Sequence, residues 1–210
     1  ETQMRPILSF PIKEGEDQKG CVVVKDFPDP KAGGLTYFAG VDPVGTDKTT
    51  TSESLFSICI FKNITENQYE EDGQIKKRIS GFEPVAWYTG RMEDLKKTNT
   101  IGEYLIRWYK ATAIVESNVQ SFINHMQSRN LQQYLATKAD ITFLGELNQN
   151  RDVHKQYGVH MTPTIKAYIL NNIKEYITEE QDISYKEDGT RKKTTYGVER
   201  LLDIPLLEEI

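Results

Sequence analysis

Two short apolar segments of this sequence each end in a carboxylate. Residues 37–41 (YFAGV) lead into Asp42, and residues 112–115 (TAIV) lead into Glu116. An acid placed just beyond a buried strand lies at the rim of the core, partly desolvated but open to a cleft, where carboxylate oxygens can bind Mg²⁺ or Mn²⁺. Two or three such acids can hold a pair of ions that stabilise the attacking and leaving oxygens of a phosphoryl transfer. The pattern therefore favours metal-dependent phosphodiester chemistry.

Each acid also has an ordinary structural interpretation. Asp42 opens an Asp-Pro-Val-Gly sequence that is typical of a turn, and Glu116 precedes a predicted helix whose positive end favours an acid. A third acid, Asp203, stands before Ile204-Pro205 and has the position of a helix N-cap. Both interpretations stay open from the residues alone.

The elements that must position these acids change in type along the chain. Residues 1–34 are expected to form an arm or linker with one short strand, and residues 35–210 a single domain. Strands are predicted at 35–41, 55–61, 75–79 and 83–88, with a turn at 66–73. Helical periodicity then begins near Ile101 behind the candidate caps Asn99 and Thr100. An opening of antiparallel strands followed by strand–helix units predicts an α/β fold with a mixed sheet.

The second half of the chain supplies further predicted elements. A strand at 112–115 is followed by a helix with Asn118 as its expected N-cap. A short strand is predicted at 141–144, and a helix starts at Thr162-Pro163 with an apolar stripe made of Ile165, Ile169, Ile173 and Ile177. Residues 183–196 alternate in polarity around Asp188-Gly189, which predicts a hairpin, and 198–210 are expected to be helical.

Composition narrows the function classes. The 210 residues carry 26 Lys and Arg against 31 Asp and Glu, a net charge of −5, so contact with nucleic acid must be local. Cys21 and Cys59 have no metal-type spacing and favour a reducing compartment. The longest apolar run is too short to span a membrane. A chain beginning at Glu1 is expected to be a segment of something longer.

Three motifs occur in an order and spacing that resemble a known family. They are 37–47 (YFAGVDPVGTD), 113–118 (AIVESN) and 196–203 (YGVERLLD), joined by Tyr157-Gly158-Val159 before the Thr162-Pro163 helix. Together they resemble the nuclease domain of the large terminase subunit of tailed bacteriophages, over residues 35 to 210. The motifs are short individually and fairly specific jointly.

The resemblance implies an RNase H-like mixed sheet flanked by helices, with a β-hairpin near the active site. It implies an endonuclease that cleaves concatemeric double-stranded DNA with two Mg²⁺ or Mn²⁺ ions. Asp42, Glu116 and Asp203 would be the catalytic, metal-binding acids, and Asp47 an accessory metal ligand.

The resemblance also implies partners and a location. The chain lacks the Gly-x-x-x-x-Gly-Lys-[Ser/Thr] loop of the ATPase half of a terminase, so that half would be a partner elsewhere in the same protein. The portal and the small terminase subunit would be further partners, in the host cytoplasm and without a membrane. Two alternatives stay open: another RNase H-like DNA nuclease of resolvase or integrase type, and a non-catalytic DNA-docking module of the same fold.

Basic clusters and histidines complete the candidates. Lys76-Lys77-Arg78, Lys96-Lys97 and Arg191-Lys192-Lys193 are solvated faces by default. Because Arg191, Lys192 and Lys193 follow the predicted hairpin tip and are close in sequence to Asp203, they are the candidate DNA-binding residues. His125, His154 and His160 are too scattered for a zinc site, and His125 is expected on a helix surface.

Overall fold

A computed structural model of the chain describes residues 20–34, 36–48, 54–64, 68–71, 74–77, 81–141, 156–178, 180–185 and 191–196. Its main feature is a five-stranded sheet built from Val22–Val24 (β1), Tyr37–Asp42 (β2), Phe56–Ile64 (β3), Gly81–Gly90 (β6) and Thr112–Val115 (β7). Two further strands, Gln68–Glu71 (β4) and Gln74–Lys77 (β5), form a separate two-stranded sheet.

The five-stranded sheet is mixed, as predicted. Its strand order is β1-β6-β3-β2-β7. Strands β1, β6, β3 and β2 pair antiparallel, whereas β7 pairs parallel to β2. Helix Leu95–Tyr109 (α1) separates β6 from β7 in the chain, and such a crossover is what a parallel pair requires. The short strand expected in the N-terminal arm is β1, which forms one edge of this sheet.

Helix α1 begins earlier than the sequence predicted. Its N-cap is Asp94, whose Oδ1 accepts the backbone N–H groups of Lys96 at 2.6 Å and Lys97 at 3.3 Å. The predicted caps Asn99 and Thr100 are wrong, because both lie inside the helix and Asn99 is buried there. Local pattern could not separate these candidates, since each is a residue type that favours caps.

The main core lies between one face of the sheet and helices α1 and Ser121–Ser128 (α2). Alternate residues of the central strands face it, as period-two side-chain geometry requires. Its members include Tyr37, Ala39, Val41, Phe56, Ile58, Ile60, Leu105, Ile106, Phe122 and Met126. The same alternation sends Phe38, Gly40 and Asp42 of β2 to the opposite face. The site acids therefore stand on the face away from α1 and α2.

Helix α2 starts at Ser121, with Gln120 as an N-cap that makes no side-chain capping bond. Asn118, the predicted cap, is wrong because its side chain bonds elsewhere, to the backbone of Met161. Two 3₁₀ turns, Gln132–Tyr134 and Lys138–Asp140, follow.

Helix Pro163–Thr178 (α3) confirms the predicted Thr162-Pro163 start. Its stripe residues Ile165, Ile169 and Ile173 are half-buried, which also agrees with the prediction; the side chain of Ile177 lies outside the described part. None of the helices in the described part of the chain has the length and apolar character that crossing a bilayer requires.

Two hairpins complete the described structure. Glu180–Tyr185 (β8) pairs antiparallel with Arg191–Tyr196 (β9), which confirms the predicted hairpin. The turn expected at 66–73 is wrong in part, because β4 lies inside it and pairs with β5. The strand predicted at 141–144 lies outside the described residues beyond Ile141, which is extended backbone after a 3₁₀ turn. The helix predicted at 198–210 also lies outside them.

Candidate active site

Asp42 and Glu116 lie side by side at the carboxyl ends of two neighbouring parallel strands. Asp42 is the last residue of β2, and Glu116 follows the last residue of β7. The register pairs Val41 with Val115, and the backbone N–H of Glu116 donates to the carbonyl of Val41 at 2.9 Å. Because paired residues of adjacent strands point to the same face, the two carboxyl groups meet at one edge of the sheet.

The two side chains are close enough to perturb each other. Desolvation at the rim of the sheet, the negative charge of Glu116 and a hydrogen bond between the two side chains raise the pKa of Asp42 to about 6. Each of these causes disfavours a second negative charge at this point. A divalent cation between the carboxylates would remove the repulsion, and carboxylate oxygens are the ligands that Mg²⁺ and Mn²⁺ prefer. The donor set therefore fits such an ion.

A row of polar side chains continues from the acids across the sheet. Ser57 of β3 is the cross-strand partner of Asp42, and Thr89 of β6 is the partner of Ser57. The two hydroxyl oxygens are 3.2 Å apart, within hydrogen-bonding distance. Directly opposite residues share a face, so Asp42, Ser57 and Thr89 form one polar row over three strands. Glu116 continues this row just beyond the end of β7.

The sequence analysis missed the two hydroxyl residues of this row. Ser57 is visible as the polar interruption of the apolar run 55–61, but its meaning depends on which residue it faces. Register is a tertiary property, and a shift of one residue would send Ser57 to the opposite face. Only the pairing with Asp42 identifies it as a neighbour of the site.

Open space adjoins the acids on the same face of the sheet. Gly40 precedes Asp42 by two residues and is exposed, and a Cβ built on it would meet no described atom within 4 Å. The neighbouring position on β7, Ile114, is 38% exposed. Among the described residues, the surface beside the two carboxyl groups therefore leaves room for a molecule to approach them.

A cleft of about 280 Å³ has Asp42 in its lining. Its lining includes Thr46, Ser54 and Arg91. The Arg91 guanidinium donates to the backbone carbonyls of Ser54 at 3.0 Å, Thr46 at 2.8 Å and Asp47 at 2.6 Å, and to the Thr46 hydroxyl at 2.9 Å. Arg91 thus fastens both described ends of the loop that follows Asp42.

Asp47 is engaged at the start of α1. Its Oδ1 accepts the backbone N–H of Leu95, the first residue of that helix, at 2.8 Å. An acid in this position is favoured by the unpaired N–H groups and the positive end of a helix. Its role as an accessory metal ligand stays a prediction. At least this oxygen accepts a hydrogen bond from the start of the helix.

The other side of Glu116 is held by a short segment that extends the sheet beyond β7. The N–H of Val159 donates to the carbonyl of Val115, and the N–H of Ser117 donates to the carbonyl of Val159, both at 2.8 Å. Gly158 makes this approach possible: its φ is 74°, and a Cβ there would lie 2.3 Å from the Val115 carbonyl oxygen. A left-handed conformation at such close range admits only glycine without strain.

Asn118 fixes the same segment further along. Its Oδ1 accepts the N–H of Met161 at 2.7 Å, and its Nδ2 donates to the carbonyl of Met161 at 3.2 Å. This two-way bond joins the turn after Glu116 to the residues that enter α3. These two bonds hold in place the turn that follows Glu116.

The roles of the other predicted site residues stay predictions. Asp203 lies outside the described residues. Arg191, Lys192 and Lys193 are in β9, and their side chains also lie outside the described part. Within the ranges that the structure does describe, no group of three or more His, Cys, Asp or Glu side chains is arranged to hold a metal ion. The described candidate site is thus a pair of carboxylates.

The sequence predicted that His125 lies on a helix surface, and this prediction is wrong. It is 7% exposed, and its Nε2 lies 2.9 Å from Oε2 of Glu103, a carboxylate that is fully buried. The same Glu103 also accepts from Arg107 at 3.0 Å and Arg129 at 2.6 Å. The pattern of helix periodicity did not reveal that Glu103 and His125 face each other between α1 and α2.

Comparison with known proteins leaves the family open. No protein-family model matches the sequence, and no curated protein matches it significantly.

Proposed function

We propose that this chain is an RNase H-like, metal-dependent endonuclease domain that hydrolyses phosphodiester bonds of double-stranded DNA. The observation that carries the proposal is the convergence of Asp42 and Glu116 at the ends of two parallel strands. Open-sheet α/β proteins bind their ligands outside the carboxyl ends of the strands. A pair of carboxyl groups that resist double ionisation at that place supports a divalent-cation site rather than a turn and a helix cap.

Asp42, Glu116 and Asp203 would hold two Mg²⁺ or Mn²⁺ ions, with Asp47 as an accessory ligand. Ions bound there supply an activated water as nucleophile and stabilise the leaving oxygen. The protein itself fixes the two described carboxyl groups through the β2–β7 pairing and places the Ser57 hydroxyl next to Asp42. A hydroxyl there can orient a water or a carboxylate oxygen, because it both donates and accepts.

The order of the three motifs supports a narrower assignment. By their resemblance to large terminase subunits, the substrate would be concatemeric viral DNA, and the partners would be the ATPase half, the portal and the small subunit. The mixed sheet with β2 parallel to β7 agrees with that fold without being specific to it. Arg191, Lys192 and Lys193 would contact DNA phosphates from the hairpin.

Two other functions make different predictions. A resolvase- or integrase-type nuclease would prefer branched DNA to linear DNA, since the acids alone do not select the substrate. A non-catalytic docking module would bind DNA equally well after loss of Asp42 and would cleave none.

The proposal is tested by plasmid cleavage. The purified chain is incubated with supercoiled plasmid and Mn²⁺ or Mg²⁺, and nicked and linear products are expected, with EDTA abolishing them. Asp42→Asn and Glu116→Gln preserve side-chain shape and should each remove most of the cleavage while the fold is retained. Glu93→Gln, an exposed carboxylate before α1, is the matched control and should leave cleavage unchanged. Full activity of either site variant, or none in the parent, would reject the proposal.

A further inference from the structure

A second cleft lies on the α2 side of the same sheet edge. Its volume is about 390 Å³, and its lining includes Ser117, Gln120, Gln127, Lys138, Gln156 and His160. We refer to it as the α2 cleft. Among the described residues that line it, none is acidic, although the whole chain has a net charge of −5.

The α2 cleft begins next to a site carboxylate. Ser117, in its lining, directly follows Glu116, and His160 directly follows Val159, the residue that pairs with Glu116. One strand residue spans about 3.3 Å. The polar lining of the cleft therefore starts one residue beyond Glu116 along the chain.

The cationic side chain of the α2 cleft is fixed rather than free on the surface. Lys138 is half-buried, and its Nζ donates to Oε1 of Gln156 at 2.6 Å while its backbone N–H donates to the Gln156 carbonyl at 2.9 Å. An ammonium group carries three donors, so this bond leaves it able to bind an anion as well. The nearby carboxylate, Asp140, has one oxygen accepting from the N–H and the hydroxyl of Thr137, both at 2.7 Å.

We propose that the α2 cleft binds a backbone phosphate of the DNA substrate at the same carboxyl edge of the sheet. Lys138 supplies the charge, and the His160 imidazole and the amides of the lining supply further hydrogen-bond donors. Asp42 and Glu116 face the side of the sheet away from α2, so DNA held at both places would cross the carboxyl ends of the strands between them. This inference rests on the proposed nuclease function and adds a substrate-positioning site to it.

The inference predicts a specific effect on DNA affinity. Binding of the full chain to a fluorescent 30-base-pair duplex is measured by anisotropy in EDTA, at several salt concentrations. Lys138→Gln should weaken binding roughly three- to tenfold and reduce the slope of log K against log salt by about 0.9, the value for one lost phosphate contact. Lys138→Arg keeps the charge and should restore both quantities.

A matched control separates this site from general charge. Lys110 is exposed and lies just before β7, at the opposite edge of the sheet from Glu116. Lys110→Gln makes the same charge change and should leave affinity and salt slope unaltered. His160→Gln, at an exposed position, provides a second test that does not disturb the Lys138–Gln156 bond, and it should weaken binding without lowering the melting temperature.

The possible outcomes separate the two proposals. Equal affinities for Lys138→Gln and Lys110→Gln, in a parent chain that cleaves DNA, would overturn the phosphate site and leave the nuclease in place. Binding that depends on Lys138, in a parent chain that never cleaves, would support the phosphate site and overturn the nuclease. A parent chain that neither binds nor cleaves DNA would overturn both.

Discussion

Asp42 and Glu116 owe their proximity to one parallel strand pair. The bond from the Glu116 N–H to the carbonyl of Val41 sets the register of β2 against β7, and the two carboxyl groups follow from it. They are separated by more than seventy positions in the sequence. Their contact therefore requires the chain to pass through β3, β6 and α1 before β7 returns to pair with β2.

Removing one of these charges should stabilise the metal-free protein and remove its response to metal. Repulsion between Asp42 and Glu116 is relieved in Asp42→Asn, so this variant should melt at or above the metal-free parent. At ten times its dissociation constant, Mn²⁺ contributes about 1.4 kcal/mol to the parent, a rise of roughly 3–6 °C. The variant should lose most of that rise. A large drop in the metal-free melting temperature would instead assign Asp42 to the turn that follows it.

The hydroxyl neighbour of Asp42 should contribute to cleavage. Ser57→Ala removes one hydrogen-bonding group worth about 0.5–1.5 kcal/mol, so Mn²⁺-dependent cleavage should fall roughly 2- to 12-fold. Thr112→Ala is the control, because Thr112 stands on β7 at the other end of the same face. Equal rates for the two variants would exclude Ser57 from the site.

Gly158 should be hard to replace. In Gly158→Ala the new methyl group meets the Val115 carbonyl and the backbone keeps a positive φ, which together should cost about 1–3 kcal/mol. Gly20→Ala is matched in φ, at 81°, but its Cβ meets nothing within 4 Å, so it should cost less. Thermal denaturation of the two variants checks this, and equal losses would show that the close approach to β7 contributes nothing.

The buried Glu103 predicts how stability depends on pH. Burial opposes its ionisation, but hydrogen bonds from His125 and Arg107 and the charge of Arg129 outweigh burial and lower its pKa. A lowered folded-state pKa stabilises the fold above the ordinary glutamate value and is lost as pH falls through the folded value. The parent should therefore lose stability as pH falls below 4.5, the ordinary pKa of this glutamate.

The variant Glu103→Gln isolates this contribution. It should be less stable than the parent by about 1.5–3 kcal/mol at pH 7, because it replaces charged hydrogen bonds with neutral ones. The difference between the two proteins should shrink on acidification toward pH 3. A difference that stays constant over this range, measured by urea denaturation, would contradict the charged role of Glu103.

Much of the fold follows from local patterns. Alternating and apolar runs located β2, β3, β6 and β7, and the Thr162-Pro163 start located α3, because hydrophobic period and turn chemistry are encoded within a few residues. Cap positions were harder: Asp94 caps α1 while Asn99 is buried, and Asn118 bonds Met161 across more than forty residues. The positions of those side chains depend on tertiary contacts with residues that are distant in the sequence.

The candidate site likewise has some features that a local pattern predicts and others that depend on long-range contacts. The carboxylates at two strand ends were visible in the sequence because a strand followed by an acid is a local pattern. Ser57 and Lys138 were not, since one gains its place from β2–β3 register and the other from a bond to Gln156. An acid at a strand end becomes part of an assembled site only through long-range pairing between strands.

The most direct measurement is a crystal soaked in Mn²⁺, with the ion located by its anomalous scattering. The account predicts a peak bound by carboxylate oxygens of both Asp42 and Glu116, at about 2.0–2.3 Å, close to the distances of hard divalent cations, and Asp203 as the third acid. A crystal in which Mn²⁺ binds elsewhere, or leaves the space between Asp42 and Glu116 empty at saturating concentration, would contradict it.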